Sequence, residues 1–270
     1  MKNRIDEKFT NLKAENRGGF IPFIVAGDPN LQTTRELILE FDKRGASVIE
    51  LGVPFSDPVA DGVTIQASAE RALRNPINVK GILQIVAEVR ENGCETPIIL
   101  FSYFNPILQF GLVNFVEAAK ESGVDGILVT DLVPEEAEEF RMVLNAKNLS
   151  LIMLAAPTSS DERLEKICAK ASGFVYAVSR AGVTGARKET SNDAENLVQR
   201  LRKYTDLPIA VGFGISTAEQ VAETWKYADA AVVGSAIVAE MMRLAPDADD
   251  VSDDFASKIG EFAGNLLPQN

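Results

Sequence analysis

The sequence predicts an α/β protein, a (β/α)8 TIM barrel with an extra N-terminal helix, built by residues 1–270 as a single domain. Three observations predict it. Eight short apolar runs alternate with stretches of helical period, a pattern that fills roughly 250 residues in such barrels. The runs are apolar on both faces, as strands buried in a parallel sheet are. Polar and Gly-rich residues gather just after the runs, where barrel chemistry collects. A doubly wound open sheet uses the same alternation and is the rival, but no GxGxxG follows the first strand.

The elements follow in order. Residues 3–15 read as an amphipathic helix, with Ile5, Phe9 and Leu12 at i, i+4 and i+7. Gly18-Gly19 ends it. Residues 20–26 form an apolar strand closed by Gly27-Asp28-Pro29. Residues 33–45 carry a helical period in Leu37, Ile38 and Phe41 and end on glycine. A strand spans 47–51. Helices follow over 65–73 and 79–92, then a strand over 97–101 and a helix over 112–122 stopped by Gly123. Strand 125–130 precedes helix 134–147, which has Pro134 in its first turn. Strand 150–155 precedes helix 161–171, for which Asp161 is the N-cap candidate. Strand 173–178 leads to helix 193–204, strand 208–211 to helix 217–226, and strand 229–233 to helix 236–244. A last helix, 252–266, lies beyond the acidic linker 246–250.

Composition narrows the function. The chain has 270 residues, 46% hydrophobic, enough for a full core without disulfides or metal. A net charge of −12 argues against nucleic acid or an anionic membrane as the main partner. Cys94 and Cys168 form no CxxC or CxxH pattern, so reduced structural thiols and a cytoplasmic location are expected. The charged N-terminus does not read as a signal peptide, and the apolar runs fall short of the roughly 18 residues of a membrane span. The 0 histidines exclude His-based triads and His-ligated zinc. Proton transfer therefore falls to Asp, Glu, Lys, Tyr or water.

One loop stands out. Glu50-Leu51-Gly52-Val53-Pro54-Phe55-Ser56-Asp57-Pro58-Val59-Ala60-Asp61-Gly62 follows the second strand. Pro54 and Pro58 fix φ and surrender backbone donors, so the loop is stiff and is neither a helix nor a central strand. Glu50 alternates in phase with Val48 and Gly52, away from Ile49 and Leu51. A carboxylate inside a parallel strand either pairs with a buried cation or does chemistry. Asp57, between Ser and Pro, fits a turn or cap. Asp131, at the end of strand four, is a third acid or a prop for a neighbour. Tyr176, inside strand six, fits a core residue with a satisfied hydroxyl. Gly-rich strand ends at Gly185, Gly212, Gly214, Gly234 and Ser235 suit a phosphate held by backbone N–H groups, as the loops after strands seven and eight often do in barrels.

These residues carry a resemblance. The loop motif is joined by Pro22-Phe23, Ala26-Gly27-Asp28-Pro29, Tyr103-Phe104-Asn105-Pro106-Ile107, Ala156-Pro157-Thr158, Ser179-Arg180-Ala181-Gly182-Val183-Thr184-Gly185, Gly212-Phe213-Gly214-Ile215 and Gly234-Ser235-Ala236. In order along the chain, they resemble the tryptophan synthase α subunit family. The resemblance implies a carbon–carbon lyase that cleaves indole-3-glycerol phosphate to indole and glyceraldehyde 3-phosphate, with no cofactor and no metal. It implies that Glu50 is the acid/base and that Asp61 accepts the indole N–H and stabilises charge. It places phosphate at Gly185, Gly212, Phe213, Gly214, Gly234 and Ser235. Phe23, Leu100, Leu128, Tyr176 and Phe213 would line the indole pocket, and Thr184 would meet Asp61 on closure.

The resemblance also implies a partner, a β subunit that uses pyridoxal phosphate and receives indole through a tunnel in an αββα complex. Pro54, Asp57, Asn105 and Pro106 would face it. One departure stands at strand four, where Val133 separates Asp131-Leu132 from Pro134. A stand-alone lyase and a non-catalytic barrel that activates a partner are the competing readings. Intact Glu50 and Asp61 speak against the last.

Overall fold

The computed structural model describes residues 3–178, 190–212 and 214–268. At its centre β1 (Gly19–Val25), β2 (Ile49–Gly52), β3 (Ile98–Ser102), β4 (Gly126–Val129), β5 (Ser150–Ala155), β6 (Val175–Val178), β7 (Ile209–Gly212) and β8 (Ala230–Val233) close into a barrel in chain order. Every neighbouring pair is parallel, and β1 closes on β8. The helices are α1 (Arg4–Ala14), α2 (Leu31–Lys43), α3 (Val63–Ala72), α4 (Val79–Glu91), α5 (Phe104–Phe110), α6 (Leu112–Ser122), α7 (Glu138–Ala146), α8 (Asp161–Lys170), α9 (Thr190–Leu201), α10 (Ala218–Thr224), α11 (Ser235–Leu244) and α12 (Phe255–Asn265).

Two apolar layers follow from the period-two alternation of the strands. Ile21, Phe23, Val48, Ile99, Phe101 and Tyr176 belong to the barrel interior. Ile24, Ile49, Leu51, Leu100, Ile127 and Val175 belong to the layer between strands and helices. The register pairs Phe23 with Glu50 and Glu50 with Ile99, which puts Glu50 among the interior residues.

Helix α1 plugs the N-terminal end of the barrel. Its Ile5, Phe9 and Leu12 are buried on one face, as their spacing predicts. Asn3 and Asp6 form a capping box at its start. The Asn3 side chain also donates to the Asp125 carbonyl at 2.6 Å, which ties the plug to the strand edge. With that end stopped by side chains, the C-terminal end is the open one.

The structure corrects three expectations. A short helix, α5, occupies residues assigned by sequence to the loop after the third strand. Its first amide, Phe104 N, donates to Asp131 Oδ1 at 2.8 Å, so its cap comes from 27 residues away and leaves no local signal. Asp131 thus acts as a prop for its neighbour. The helix expected over 134–147 begins at Glu138; Glu136 N bonds the Val133 carbonyl at 3.0 Å and forms a separate turn first. The N-cap of α8 is Ser160, whose side chain accepts from Arg163 N, while Asp161 is the first helical residue.

Candidate active site

Glu50 ends its chain of interior side chains at the open end of the barrel. It is only 1% exposed. Among the described residues no ion pair reaches it, and its Oε1 has no hydrogen-bond partner. The choice left open by the sequence, ion pair or chemistry, is narrowed by that orphaned oxygen. Burial, and then the nearby charge of Asp61, push its carboxyl from the usual 4.5 to about 8.

Asp61 sits on the loop after β2, one residue before the N-cap Gly62 of α3. Burial lifts its carboxyl to about 6, and a hydrogen bond from Tyr103 pulls the other way. Tyr103 Oη donates to Asp61 Oδ2 at 3.2 Å and accepts from Ala60 N at 2.9 Å. Its ring lies 5.2 Å from that of Phe55. Gln66 Nε2 donates to the Asp61 carbonyl at 2.8 Å. The loop is therefore held from α3 and from the residue that follows β3, and Asp61 has a defined place. At neutral pH Glu50 keeps its proton and Asp61 is mostly ionised. Two carboxyls whose surroundings push them apart in this way can serve as acid and as charge stabiliser.

Aromatic rings wall the space beside Glu50. Phe23 and Phe101 meet edge to face with centroids 5.4 Å apart. Leu128 and Tyr176 belong to the same interior cluster. Leu100 does not. It packs in the layer under the helices, and its neighbour Phe101 takes the interior position. Both phases of β3 are apolar, so alternation could not say which one faces in.

The glycines at the strand ends serve these rings. A Cβ on Gly52 would lie 2.8 Å from Phe23, one on Gly212 only 2.1 Å from Tyr176 Oη, and one on Gly234 3.1 Å from Phe23. Gly214 has φ +81° and open space around it. Gly234 is the N-cap of α11 and Ser235 its first residue, so unpaired amides face the open end there. Thr184, Gly185 and Phe213 lie outside the described residues.

The residues expected to face a partner lie on the same rim. Asp57 and Asn105 are exposed. Pro54 and Pro106 line a groove of about 410 Å³ with Val53, Ile77, Gln109 and Phe110. Val59, on the loop after β2, is 77% exposed, and Leu108 on α5 is 52% exposed. The sequence reading missed Phe101 and Tyr103 as site residues. Tyr103 stood in a quoted motif, but its contact with Asp61 spans 42 residues.

Comparison with known proteins agrees with this fold. A family model described as tryptophan synthase alpha chain matches residues 9–266. The tryptophan synthase alpha chain of Caulobacter vibrioides is 47% identical over 262 residues, 97% of this chain and 95% of that protein. That of Geotalea uraniireducens is 48% identical over 236 residues, 87% of this chain and 88% of that protein. The crystal structure of tryptophan synthase subunit alpha from Legionella pneumophila superposes with a TM-score of 0.88 at 35% identity, covering 98% of this chain and 97% of that one. The chain belongs to the tryptophan synthase alpha chain family.

Proposed function

We propose that the chain cleaves indole-3-glycerol phosphate to indole and glyceraldehyde 3-phosphate, with Glu50 as the proton carrier and Asp61 as the charge stabiliser. The observation that carries the reading is Glu50 itself, a buried, protonated carboxyl with a free oxygen beside the aromatic walls. Glu50 delivers its proton to indole C3. The resulting indolenine is electron-poor, and the Asp61 carboxylate holds its N–H and stabilises the positive charge in a dry site. Glu50, now ionised, takes the proton of the glycerol hydroxyl adjacent to the ring. The O–H electrons form the aldehyde carbonyl, the C–C bond breaks, and its electron pair returns to the indole ring. Glu50 ends protonated as it began, so no cofactor is consumed. Gly212, Gly214, Gly234 and Ser235, with Gly185 and Phe213, hold the phosphate through backbone amides, and Thr184 meets Asp61 on closure. Phe23, Leu128 and Tyr176 wall the indole, with Phe101 in the place expected of Leu100.

The partner is a tryptophan synthase β subunit in an αββα complex, docked on the rim that carries Pro54, Asp57, Asn105 and Pro106. Exposed Val59 and Leu108 on that rim support an apolar contact. Two buried free thiols, Cys94 and Cys168, fit a cytoplasmic setting. The test is indole release from indole-3-glycerol phosphate, with and without a β subunit. Turnover that the β subunit accelerates is the expected result. Absence of indole under both conditions overturns the reaction, and fast turnover that ignores the β subunit overturns the partnership.

A further inference from the structure

Behind the carboxylate loop lies a buried cluster that the reaction does not use. Asp28, just after β1, is 0% exposed, and Ser68 and Arg71 on α3 are 0% and 6% exposed. One Asp28 oxygen accepts from Ser68 Oγ and the other from Arg71 Nε. Arg71 Nη1 donates to the carbonyls of Ala245 at 2.6 Å and Pro246 at 3.2 Å. Ala245 is the C-cap of α11. A guanidinium is favourable at that negative helix end. Asn75, just past α3, adds a second tie to the same turn, donating to the Pro29 carbonyl at 2.7 Å.

Stability alone explains this cluster poorly, since an apolar replacement of a buried ion pair is often neutral or better. Its placement explains more. Arg71 stands at the rear of α3, whose front end leads from Asp61. It also touches the rear of α11, whose front end is Gly234-Ser235. One side chain thus fixes two helices whose far ends carry the two halves of the site.

We propose that Arg71, clasped by Asp28, is a positioning residue that sets Asp61 in register with the phosphate-binding end of α11. This rests on the lyase reading above. Arg71 lies eight residues along α3 from Val63, about 12 Å of helical rise, and Asp61 stands two residues beyond that, roughly 15 Å from the clasp. A pivot of about 4° at the clasp moves Asp61 by about 1 Å over that length. A displacement of that size can cost about 10²-fold in rate.

The experiment compares Arg71→Met, Arg71→Lys and the double variant Asp28→Asn/Arg71→Met, which leaves no lone buried charge. The expected result is a kcat for indole release about 10- to 100-fold lower. The KM and the Kd of glycerol phosphate stay within about threefold, because α11 also packs on β1 and α12, which keep its phosphate end in place when Arg71 is lost. Lys keeps the charge without the planar fork and is expected to recover little. In an Asp61→Asn background, Arg71→Met is expected to change kcat less than about threefold, since its effect passes through Asp61. Normal kcat in folded Arg71 variants, or equal losses in both backgrounds, overturns the proposal. Amide exchange gives a readout without turnover. Faster exchange over residues 57–66 with α1 unchanged supports the clasp, and unchanged exchange there overturns it. Lack of indole from the wild-type chain overturns the function instead, and leaves the exchange result to decide the clasp.

Discussion

Replacing Glu50 with Gln separates its chemical role from its structural cost. Glu50 is buried, and its folded-state carboxyl titrates near 8 against an ordinary 4.5. Below 4.5 both folded and unfolded chains hold the proton, and burial carries no ionisation penalty. As pH rises from 4.5 to 8 the unfolded chain releases the proton while the folded chain keeps it. The unfolded state then binds fewer protons, and stability falls with rising pH. At roughly 1.36 kcal/mol per pH unit, the loss approaches about 5 kcal/mol by pH 8 and is about 3 kcal/mol at pH 7. Gln is nearly isosteric and never ionises, so Glu50→Gln escapes that loss. Urea unfolding of both proteins at a series of pH values measures it. The variant should match the wild type near pH 4 and gain on it steadily to pH 8, with the m-value unchanged. Its indole release should be nearly abolished throughout. Parallel stability curves across this window would refute the buried, protonated Glu50. Near-normal turnover in the variant would refute its role as proton carrier.

Three further outcomes are expected. The pH profile of kcat/KM should be bell-shaped, rising through about 6 as Asp61 ionises and falling through about 8 as Glu50 loses its proton; Asp61→Asn should remove the acid limb, and a limb that persists in that variant excludes the assignment. Tyr103→Phe removes the bond that lowers the Asp61 carboxyl, so the acid limb should move to higher pH, with a stability loss of about 1 kcal/mol by denaturation. Phe101→Ala and Leu100→Ala should each destabilise by about 2–5 kcal/mol, but only Phe101→Ala should raise the KM for indole-3-glycerol phosphate, because only Phe101 faces the interior; a KM effect confined to Leu100→Ala contradicts the strand register.

What the sequence made legible follows from the range of each interaction. The strands and most helices are set by periodicity and local stops, and Glu50 could be placed by counting two residues at a time from Val48. The plug helix α1 shows its apolar face in Ile5, Phe9 and Leu12. Non-local contacts were not legible. Asp131 caps α5 across 27 residues, and Tyr103 holds Asp61 across 42. The start of α7 failed for another reason. A Pro fits a first helical turn equally well as it fits the turn before one, and Pro134 does the latter. The resemblance points to Leu100, and period two cannot correct it, because apolar residues occupy both phases of β3.

The strand-end glycines tie fold and chemistry together more closely than their Gly-rich pattern suggested. Read locally, Gly212 and Gly234 are places where backbone can approach a phosphate. In the structure a Cβ on Gly212 would strike Tyr176, and one on Gly234 would crowd Phe23 at 3.1 Å. On the proposed reading, the same absence of a Cβ would serve two ends of one elongated substrate, the phosphate outward and the indole inward. The two demands can be pulled apart experimentally. On Gly212, Ala would place its Cβ 2.1 Å from Tyr176 Oη while leaving the backbone amide in place. Overpacking of that kind costs about 1–3 kcal/mol. Gly212→Ala should therefore raise the KM for indole-3-glycerol phosphate through the displaced ring while leaving the Kd of glycerol phosphate, which lacks the indole, close to wild type. Equal weakening of both ligands would assign Gly212 to the phosphate alone and remove the ring from the argument.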